Sequence, residues 1–270
     1  MRKTRPAHGV ERNLFVRAYG PAGKSPALVW IHGLGESGLC FEKIVGHPRL
    51  KPLRHLVPDL PGYGRSAWPE NPMTLDAVTE HVALWLSERG EVPVVLVGHS
   101  MGGYVGQILA ENHPKLLAAF VNVEGNISGD DCTVSAQAAA QALDAFVSDG
   151  FDKILDSVYR AGASDPALRG ACASLRLCDP RTFHLHAREL VRASREETLA
   201  PRLAHLRMPA LFIAGQPGGA AKRSLDMLAE AHVRTVAIGP SGHWPFIDQS
   251  DLFADALREF LGRTGSEAGL

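Results

Sequence analysis

Short, nearly continuous apolar runs recur along the chain, and each of them ends at a glycine or proline turn. They lie at 28–31, 56–57, 92–97, 120–123, 210–214 and 235–238. A strand that is apolar at every position is buried on both faces, as in a parallel sheet covered by helices. Segments with apolar residues three and four positions apart separate the runs, for example 74–89 and 101–112. The pattern predicts an α/β fold with a mostly parallel sheet flanked by helices.

Residues 126–205 break this alternation, because they contain helical periodicity and no strand-like run. Helical patterns lie at 134–149, 151–160, 167–176 and 183–193. An insertion of this kind predicts an all-helical cap between sheet strands, over one edge of the sheet. We therefore expect a core formed by residues 1–125 and 206–270 and a helical cap formed by residues 126–205. A last helix is expected over 251–261, with Gly262 as its C-cap.

Composition narrows the class of protein without selecting a function. The chain has 270 residues, 45% of them hydrophobic, which suits one large domain or a domain with an insertion. A formal net charge of -1 gives no electrostatic footprint for nucleic acid or an anionic membrane. The basic N-terminus lacks the apolar run of a secretory signal, and the four cysteines are too scattered for a disulfide framework. We expect a cytoplasmic protein without a nucleic-acid or membrane partner; no oligomeric state is indicated.

The segment Gly98-His99-Ser100-Met101-Gly102 joins an apolar run to a helix without an intervening loop. A serine on so sharp a turn has a strained backbone, and the small residues two positions to either side provide the clearance that it needs. The turn projects the hydroxyl from the sheet edge at a helix N-terminus, whose partial positive charge favours a developing anion. Ser100 is therefore the candidate nucleophile.

Around Ser100 the chain resembles the α/β-hydrolase superfamily, and three further segments extend the resemblance over nearly all of the predicted core. Residues 30–35 (WIHGLG) are similar to the family's His-Gly oxyanion loop, and residues 59–66 (DLPGYGRS) to a mainly structural turn. Residues 239–245 (GPSGHWP) resemble the late loop that carries the catalytic histidine. The resemblance implies the α/β-hydrolase fold and a serine hydrolase.

A serine hydroxyl needs a general base near neutral pH, and histidine is the usual one. Among the 12 histidines, His243 alone combines a late position, the end of a strand run and a glycine-flanked loop at the edge that carries Ser100. The tetrahedral intermediate also needs backbone donors, and the geometry of such an elbow predicts the amides of Met101 and Leu34. His99 is expected to hold its turn by hydrogen bonds.

The acid of the triad departs from the common family pattern, in which an aspartate follows the penultimate strand. The corresponding segment, residues 213–220 (IAGQPGGA), contains no carboxylate. Glu124 instead follows the run at 120–123, roughly one strand spacing of 4.8 Å from the strand that leads to Ser100. We predict that Glu124 orients His243, which preserves the order serine, acid, histidine along the chain. The alternatives left open are Asp130, Asp131 and a Ser-His dyad.

A serine nucleophile favours attack on a carbonyl carbon, an acyl-enzyme and its hydrolysis by water. A carboxylic ester or lactone is therefore the leading substrate. The alternatives are C–C bond hydrolysis, thioester hydrolysis, acyl transfer or cyclisation on the same triad, and a hydrolase-like receptor without turnover. Trp244 and Phe246 are expected to contact a medium-sized, largely uncharged small molecule. His184 and His186 lie two apart on a predicted helix and point to different sides, so we expect no metal and no cofactor.

Overall fold

An eight-stranded sheet forms the centre of the computed structural model, which describes residues 8–23 and 26–267. Its strands are His8–Glu11 (β1), Leu14–Tyr19 (β2), Leu28–Ile31 (β3), His55–Pro58 (β4), Val94–His99 (β5), Leu117–Val123 (β6), Ala210–Gly218 (β7) and Thr235–Gly242 (β8). They follow the order β1-β2-β4-β3-β5-β6-β7-β8. The pairs β1–β2 and β2–β4 are antiparallel, and all the others are parallel. The predicted α/β class with a mostly parallel sheet is confirmed.

Helices occupy the connections on both faces of the sheet. They are Glu42–Val45 (α1), Leu75–Arg89 (α2), Met101–Asn112 (α3), Val134–Ala139 (α4), Leu143–Ala145 (α5), Phe151–Ala161 (α6), Pro166–Leu175 (α7), Pro180–Arg195 (α8), Leu199–Ala204 (α9), Lys222–Glu230 (α10), Pro245–Asp248 (α11) and Ser250–Glu267 (α12). Single 3-10 turns lie at Gly38–Phe41, Pro114–Leu116 and Gly129–Asp131, and a π-helical turn lies at Phe146–Gly150.

Two helix predictions differ from the structure. The helix expected over 134–149 is interrupted, because Ala142 has an extended backbone with ψ 147° between α4 and α5. The last helix continues past Gly262 to Glu267, so the prediction that Gly262 ends it is wrong. An exposed glycine inside a helix costs only about 1 kcal/mol relative to alanine, which a long helix tolerates.

Alternate residues of the central strands enter two separate cores. Val29 and Ile31 face a core with α2, α3 and several helices of residues 134–204. Leu28 and Trp30 face the opposite core, which α1, α11 and α12 cover. Because side chains alternate along a strand, one continuous apolar run supplies both cores. This double burial makes the middle of the sheet a rigid base for the loops at its ends.

Four of those loops meet at one edge of the sheet, because parallel strands end on the same side. His99 at the end of β5 is paired with Val123 near the end of β6. Val123 is in turn paired with Ile213 of β7, whose extension reaches the end of β8. The segments that follow these strands carry Ser100, Glu124 and His243. This is the edge at which open α/β sheets bind their ligands.

Between β6 and β7, the described chain is helical and folds over this edge. Buried hydrogen bonds fasten it to the sheet loops: Tyr63 Oη lies 2.7 Å from Nδ1 of His186, and Ser37 Oγ lies 2.9 Å from Ser174 Oγ. The division into a core and a cap at residues 126–205 stays a prediction. Within 8–23 and 26–267, no helix combines the length and apolar character that crossing a bilayer requires.

Candidate active site

Ser100 occupies a sharp turn between β5 and α3, with φ 53° and ψ -119°. A non-glycine residue at positive φ is strained, and such strain concentrates at functional sites. A Cβ at Gly98 would lie 2.1 Å from the Gly102 carbonyl oxygen, and a Cβ at Gly102 would lie 2.1 Å from the Ile31 carbonyl oxygen. Both positions therefore require glycine, as the clearance argument predicts.

Met101 and Leu34 lie where the elbow and the loop after β3 approach each other. Met101 is the first residue of α3, so its N–H has no acceptor within the helix. Met101 is fully buried and is not among the described residues that line the cavity, so a donor role of its amide stays a prediction. Leu34 lines the cavity beside Ser100. The loop contacts the nucleophile closely, since a Cβ at Gly33 would lie 3.1 Å from the Cβ of Ser100.

His243 follows β8 on a loop, and Asp248, which comes after it in the chain, bonds to the two residues just before it. The Asp248 carboxylate accepts hydrogen bonds from the Gly242 amide at 2.9 Å and the Ser241 hydroxyl at 3.0 Å. The ring of His243 lies on the cavity with 38% of its side chain exposed. No hydrogen bond in the described part of the chain joins this ring to the Ser100 hydroxyl, although both side chains line the same cavity.

Glu124 is buried beneath the cavity and pairs with His243. Its Oε2 lies 3.1 Å from Nδ1 of His243, while Oε1 accepts hydrogen bonds from the Gly215 amide at 2.6 Å and the Ala220 amide at 3.1 Å. The segment in which the family pattern places an aspartate thus supplies amides to a glutamate from the neighbouring strand. A Cβ at Gly219 would lie 2.4 Å from Oε1, so glycine is required beside this carboxylate.

The two alternative acids lie elsewhere in the site. Asp131 accepts hydrogen bonds from the amides of Ile127, Ser128 and Ala221, and therefore holds loops together. Asp130 is exposed at the cavity wall. In the described part of the chain, neither of them makes a hydrogen bond or ion pair with the ring of His243. The geometry brings His243 together with Glu124.

The structure places the two predicted substrate contacts, Trp244 and Phe246, in different surroundings. Trp244 lines the cavity, and its indole N–H donates a hydrogen bond to Glu36. Phe246 is fully buried and packs against the rings of Phe41, His99 and Phe253. Because Pro245 starts the short helix α11, the chain turns inward and carries this ring into the core. The prediction that Phe246 contacts substrate is therefore wrong.

The cavity has a volume of about 390 Å³, and much of its wall comes from helices between β6 and β7. The apolar part of that wall includes Ile154, Val158, Leu168, Leu175, Phe183 and Leu190. Among the described residues, no lysine or arginine lines it. His184 and His186 lie outside the wall, and each bonds a backbone carbonyl through Nε2.

Sequence reasoning missed Glu36, which lines the cavity from the loop after β3. It missed equally that the Gly215 and Ala220 amides hold Glu124. A carboxylate within four residues of the His-Gly motif was the available signal for Glu36. No local pattern could indicate the amides, because they approach Glu124 only in the folded sheet.

The fold and site define the class of protein. The sheet order, the strained serine after a central strand and the late histidine loop agree with a match of the Alpha/beta hydrolase family model to residues 28–256. The chain belongs to this family, and the resemblance found in its motifs is confirmed.

Two relatives and one solved structure illustrate this similarity. The chain is 30% identical to pimeloyl-[acyl-carrier protein] methyl ester esterase of Edwardsiella ictaluri, over 88% of this chain and 94% of that protein. It is 38% identical to Lipase LipV of Mycobacterium tuberculosis over 122 residues, which are 45% of each protein. The crystal structure of the enol-lactonase from Burkholderia xenovorans LB400 superposes with a TM-score of 0.74 at 21% identity, covering 94% of this chain and 99% of that one. This last similarity shows the shared fold.

Proposed function

We propose that the protein hydrolyses carboxylic esters or lactones through an acyl-enzyme, with Ser100 as nucleophile, His243 as base and Glu124 as orienting acid. The observation that carries the proposal is the buried Glu124 carboxylate, 3.1 Å from Nδ1 of His243, on the cavity that also exposes Ser100. Ester bonds are what the named esterase relative acts on, and a lipase is a second relative. A serine, a histidine and a carboxylate in this order form the chemical unit of acyl transfer.

Each group has a distinct part in the reaction. Glu124 accepts a hydrogen bond from the Nδ1–H of His243, so that Nε2 is left with a lone pair directed to the cavity. Nε2 takes the Ser100 proton as Oγ attacks the carbonyl carbon, and it then gives the proton to the leaving alcohol oxygen. The oxyanion that forms between these steps accepts hydrogen bonds from the amides of Met101 and Leu34. Water activated by the same ring then releases the acid.

The substrate class follows from the lining of the cavity. Its aliphatic wall suits an apolar acyl chain or ring of medium size, since such a surface gains free energy by leaving water. An anionic acyl group would face Asp130 and Asp131 without a lysine or arginine among the described lining residues. We therefore propose an uncharged substrate, and we propose that residues 126–205 act as the cap that selects it. A cytoplasmic location and the lack of a nucleic-acid partner remain predictions from the sequence.

The decisive experiment measures turnover of wild type and Ser100→Ala on p-nitrophenyl esters of increasing acyl length and on aliphatic lactones. We expect multiple turnovers by wild type, a preference for uncharged medium chains, and loss of nearly all activity in Ser100→Ala. A single burst without turnover would indicate a receptor-like protein and contradict the proposal. A p-nitrophenyl monoester of a dicarboxylic acid is the charged control, and faster turnover of that ester would overturn the substrate class alone.

A further inference from the structure

Glu36 is a buried carboxylate, with 4% of its surface exposed, that the proposed reaction does not use. Its Oε2 accepts hydrogen bonds from the Gly33 amide at 2.7 Å and from Nδ1 of His99 at 2.9 Å. Its Oε1 accepts a hydrogen bond from the indole N–H of Trp244. Because N–H donors face both oxygens, a carboxylate satisfies the whole set, whereas an amide would turn its own NH2 toward a donor.

His99 is fully buried and is saturated with acceptors on both sides of its ring. Nδ1 bonds to Glu36, and Nε2 lies 2.8 Å from the backbone carbonyl oxygen of His243. A neutral imidazole has a single N–H, so donation to a carboxylate and a carbonyl together requires the imidazolium. The arrangement is that of a buried ion pair.

The charges of the two groups agree with this geometry. Burial, the largest single effect, lowers the pKa of His99, but the charge and hydrogen bond of Glu36 together with the His243 carbonyl and Glu124 outweigh it, and the net pKa is raised. Burial alone raises the pKa of Glu36, but the His99 charge and the hydrogen bonds from His99, Trp244 and Gly33 lower it to about 2. The other titratable groups in the described part of the chain that interact with the pair are His32, Cys40, Glu124 and His243.

The ion pair connects the three segments that an acyl transfer needs in register. It reaches the loop of Leu34 through the Gly33 amide, and the elbow through His99, the residue before Ser100. It reaches the late loop twice, at the His243 carbonyl and at the Trp244 indole. The ring centroids of His99 and His243 are 4.8 Å apart, so a displacement of the His99 ring would also displace the ring of His243.

We propose that Glu36 is a positioning residue: its ion pair with His99 holds the oxyanion loop and the His243 loop in register with Ser100. The inference rests on the proposed function of Ser100 and His243. Glu36 and His99 make no bond to substrate in it and act through the backbone that they hold. Misplacing catalytic groups by about 1 Å costs on the order of 10²-fold in rate, which sets the expected effect.

The kinetic test compares Glu36→Gln with Glu80→Gln on the best p-nitrophenyl ester. Glu80 also pairs with a histidine, His113, at 2.9 Å, but on the exposed surface. We expect Glu36→Gln to lower kcat about 10²-fold with little change in KM, and Glu80→Gln to behave as wild type. Unfolding curves of both variants show whether the loss reflects an unfolded fraction.

His99→Gln supplies a second variant, because it breaks the same pair from the other side. We expect a similar fall in kcat, and no further loss when the two substitutions are combined, since they remove one interaction. Losses that multiply in the double variant would overturn a shared positioning role.

The spectroscopic test follows the ring nitrogens of His99 by NMR in 15N-histidine-labelled protein, with the resonance assigned by its absence from His99→Gln. We expect it to titrate above the ordinary histidine range in wild type and below it in Glu36→Gln, where burial is no longer opposed. Equal titration in both proteins would overturn the ion pair. Wild-type kcat in Glu36→Gln, with Ser100→Ala inactive, would overturn the positioning role alone. Activity retained in Ser100→Ala would instead overturn the proposed function.

Discussion

Two glutamate–histidine pairs lie at the same edge of the sheet. They differ in how the ring nitrogens of the histidine are used and in how far its side chain is exposed. His243 contacts Glu124 through Nδ1, and 38% of its side chain is exposed on the cavity. His99 uses both ring nitrogens, toward Glu36 and toward the His243 carbonyl, and is fully buried. A base needs a nitrogen with access to substrate, whereas a support needs bonds on every side. Exposure and hydrogen-bond saturation therefore separate the two proposed roles.

The largest effect is expected when the acid of the pair on the cavity, Glu124–His243, is neutralised. In Glu124→Gln the amide NH2 faces either the backbone donors or Nδ1 of His243, and the latter forces the ring into the tautomer that cannot accept the Ser100 proton. We expect kcat to fall by about 10³- to 10⁴-fold with the fold intact, measured with a chromogenic ester and by circular dichroism.

Asp131→Asn is the matched control for Glu124→Gln, since Asp131 is a cavity-wall carboxylate bonded to backbone amides. We expect its kcat to stay within the order of magnitude of wild type. A larger loss in Asp131→Asn than in Glu124→Gln would transfer the acid role to Asp131.

The two pairs also mark how far sequence reasoning extends. The elbow was predictable because its cause is local: Gly98, Ser100 and Gly102 lie within five residues, and the close approach of the backbone dictates the glycines. The lack of an aspartate after β7 points to Glu124 as the acid. No local pattern points to Glu36, because its partners Gly33, His99 and Trp244 are brought together only in the folded sheet.

The remaining misses have the same physical origin. The position of Phe246 after the histidine loop predicts a substrate contact, but the turn at Pro245 directs its ring into the core. Neither β1 nor β2 forms an uninterrupted apolar run: β1 (HGVE) is half-exposed, and the buried Arg17 interrupts the apolar residues of β2 (LFVRAY). Local pattern identifies buried strands and sharp turns, whereas side-chain direction after a turn depends on tertiary packing.

Phe246 provides a further test of the buried pair, because its ring packs edge-on against the ring of His99 at a centroid distance of 5.0 Å. Removing a buried phenylalanine side chain leaves a cavity, so we expect Phe246→Ala to lower the free energy of unfolding by about 3–5 kcal/mol. Trp244→Ala is the comparison on the cavity side, where we expect a smaller loss of stability and changes in both KM and kcat, because the indole lines the cavity and also donates to Glu36. Urea denaturation and steady-state kinetics measure the two. A stable Phe246→Ala with only a raised KM would return Phe246 to the substrate site.

The buried pair is also expected to leave a pH signature in stability. Because the folded pKa of Glu36 is depressed to about 2 from 4.5, its stabilisation is complete above pH 4.5 and is lost as the pH falls toward 2. The raised pKa of His99 gives stabilisation that is complete below pH 6.5 and is lost as the pH rises through its folded value. The two shifts describe one ion pair and are counted once, at about 3 kcal/mol.

The measurement is the difference in unfolding free energy between wild type and Glu36→Gln from pH 3 to pH 8. We expect this difference to be largest between pH 4.5 and 6.5 and to shrink on both sides. A difference that stays constant across the range would mean that Glu36 contributes through shape and not through charge.

The smallest effect is expected at a third glutamate–histidine pair, Glu80–His113, which matches the other two in chemistry but lies at the surface. Its bond is 2.9 Å long, as short as that of Glu36–His99, while 58% of the Glu80 side chain is exposed. Water screens an exposed pair and already solvates both groups, so such pairs contribute about 0.2–1 kcal/mol. We expect Glu80→Gln to change the unfolding free energy within that range and to leave kcat at the wild-type value. A loss as large as that of Glu36→Gln would show that burial does not set the strength of these pairs, and the distinction between support and surface contact would fail.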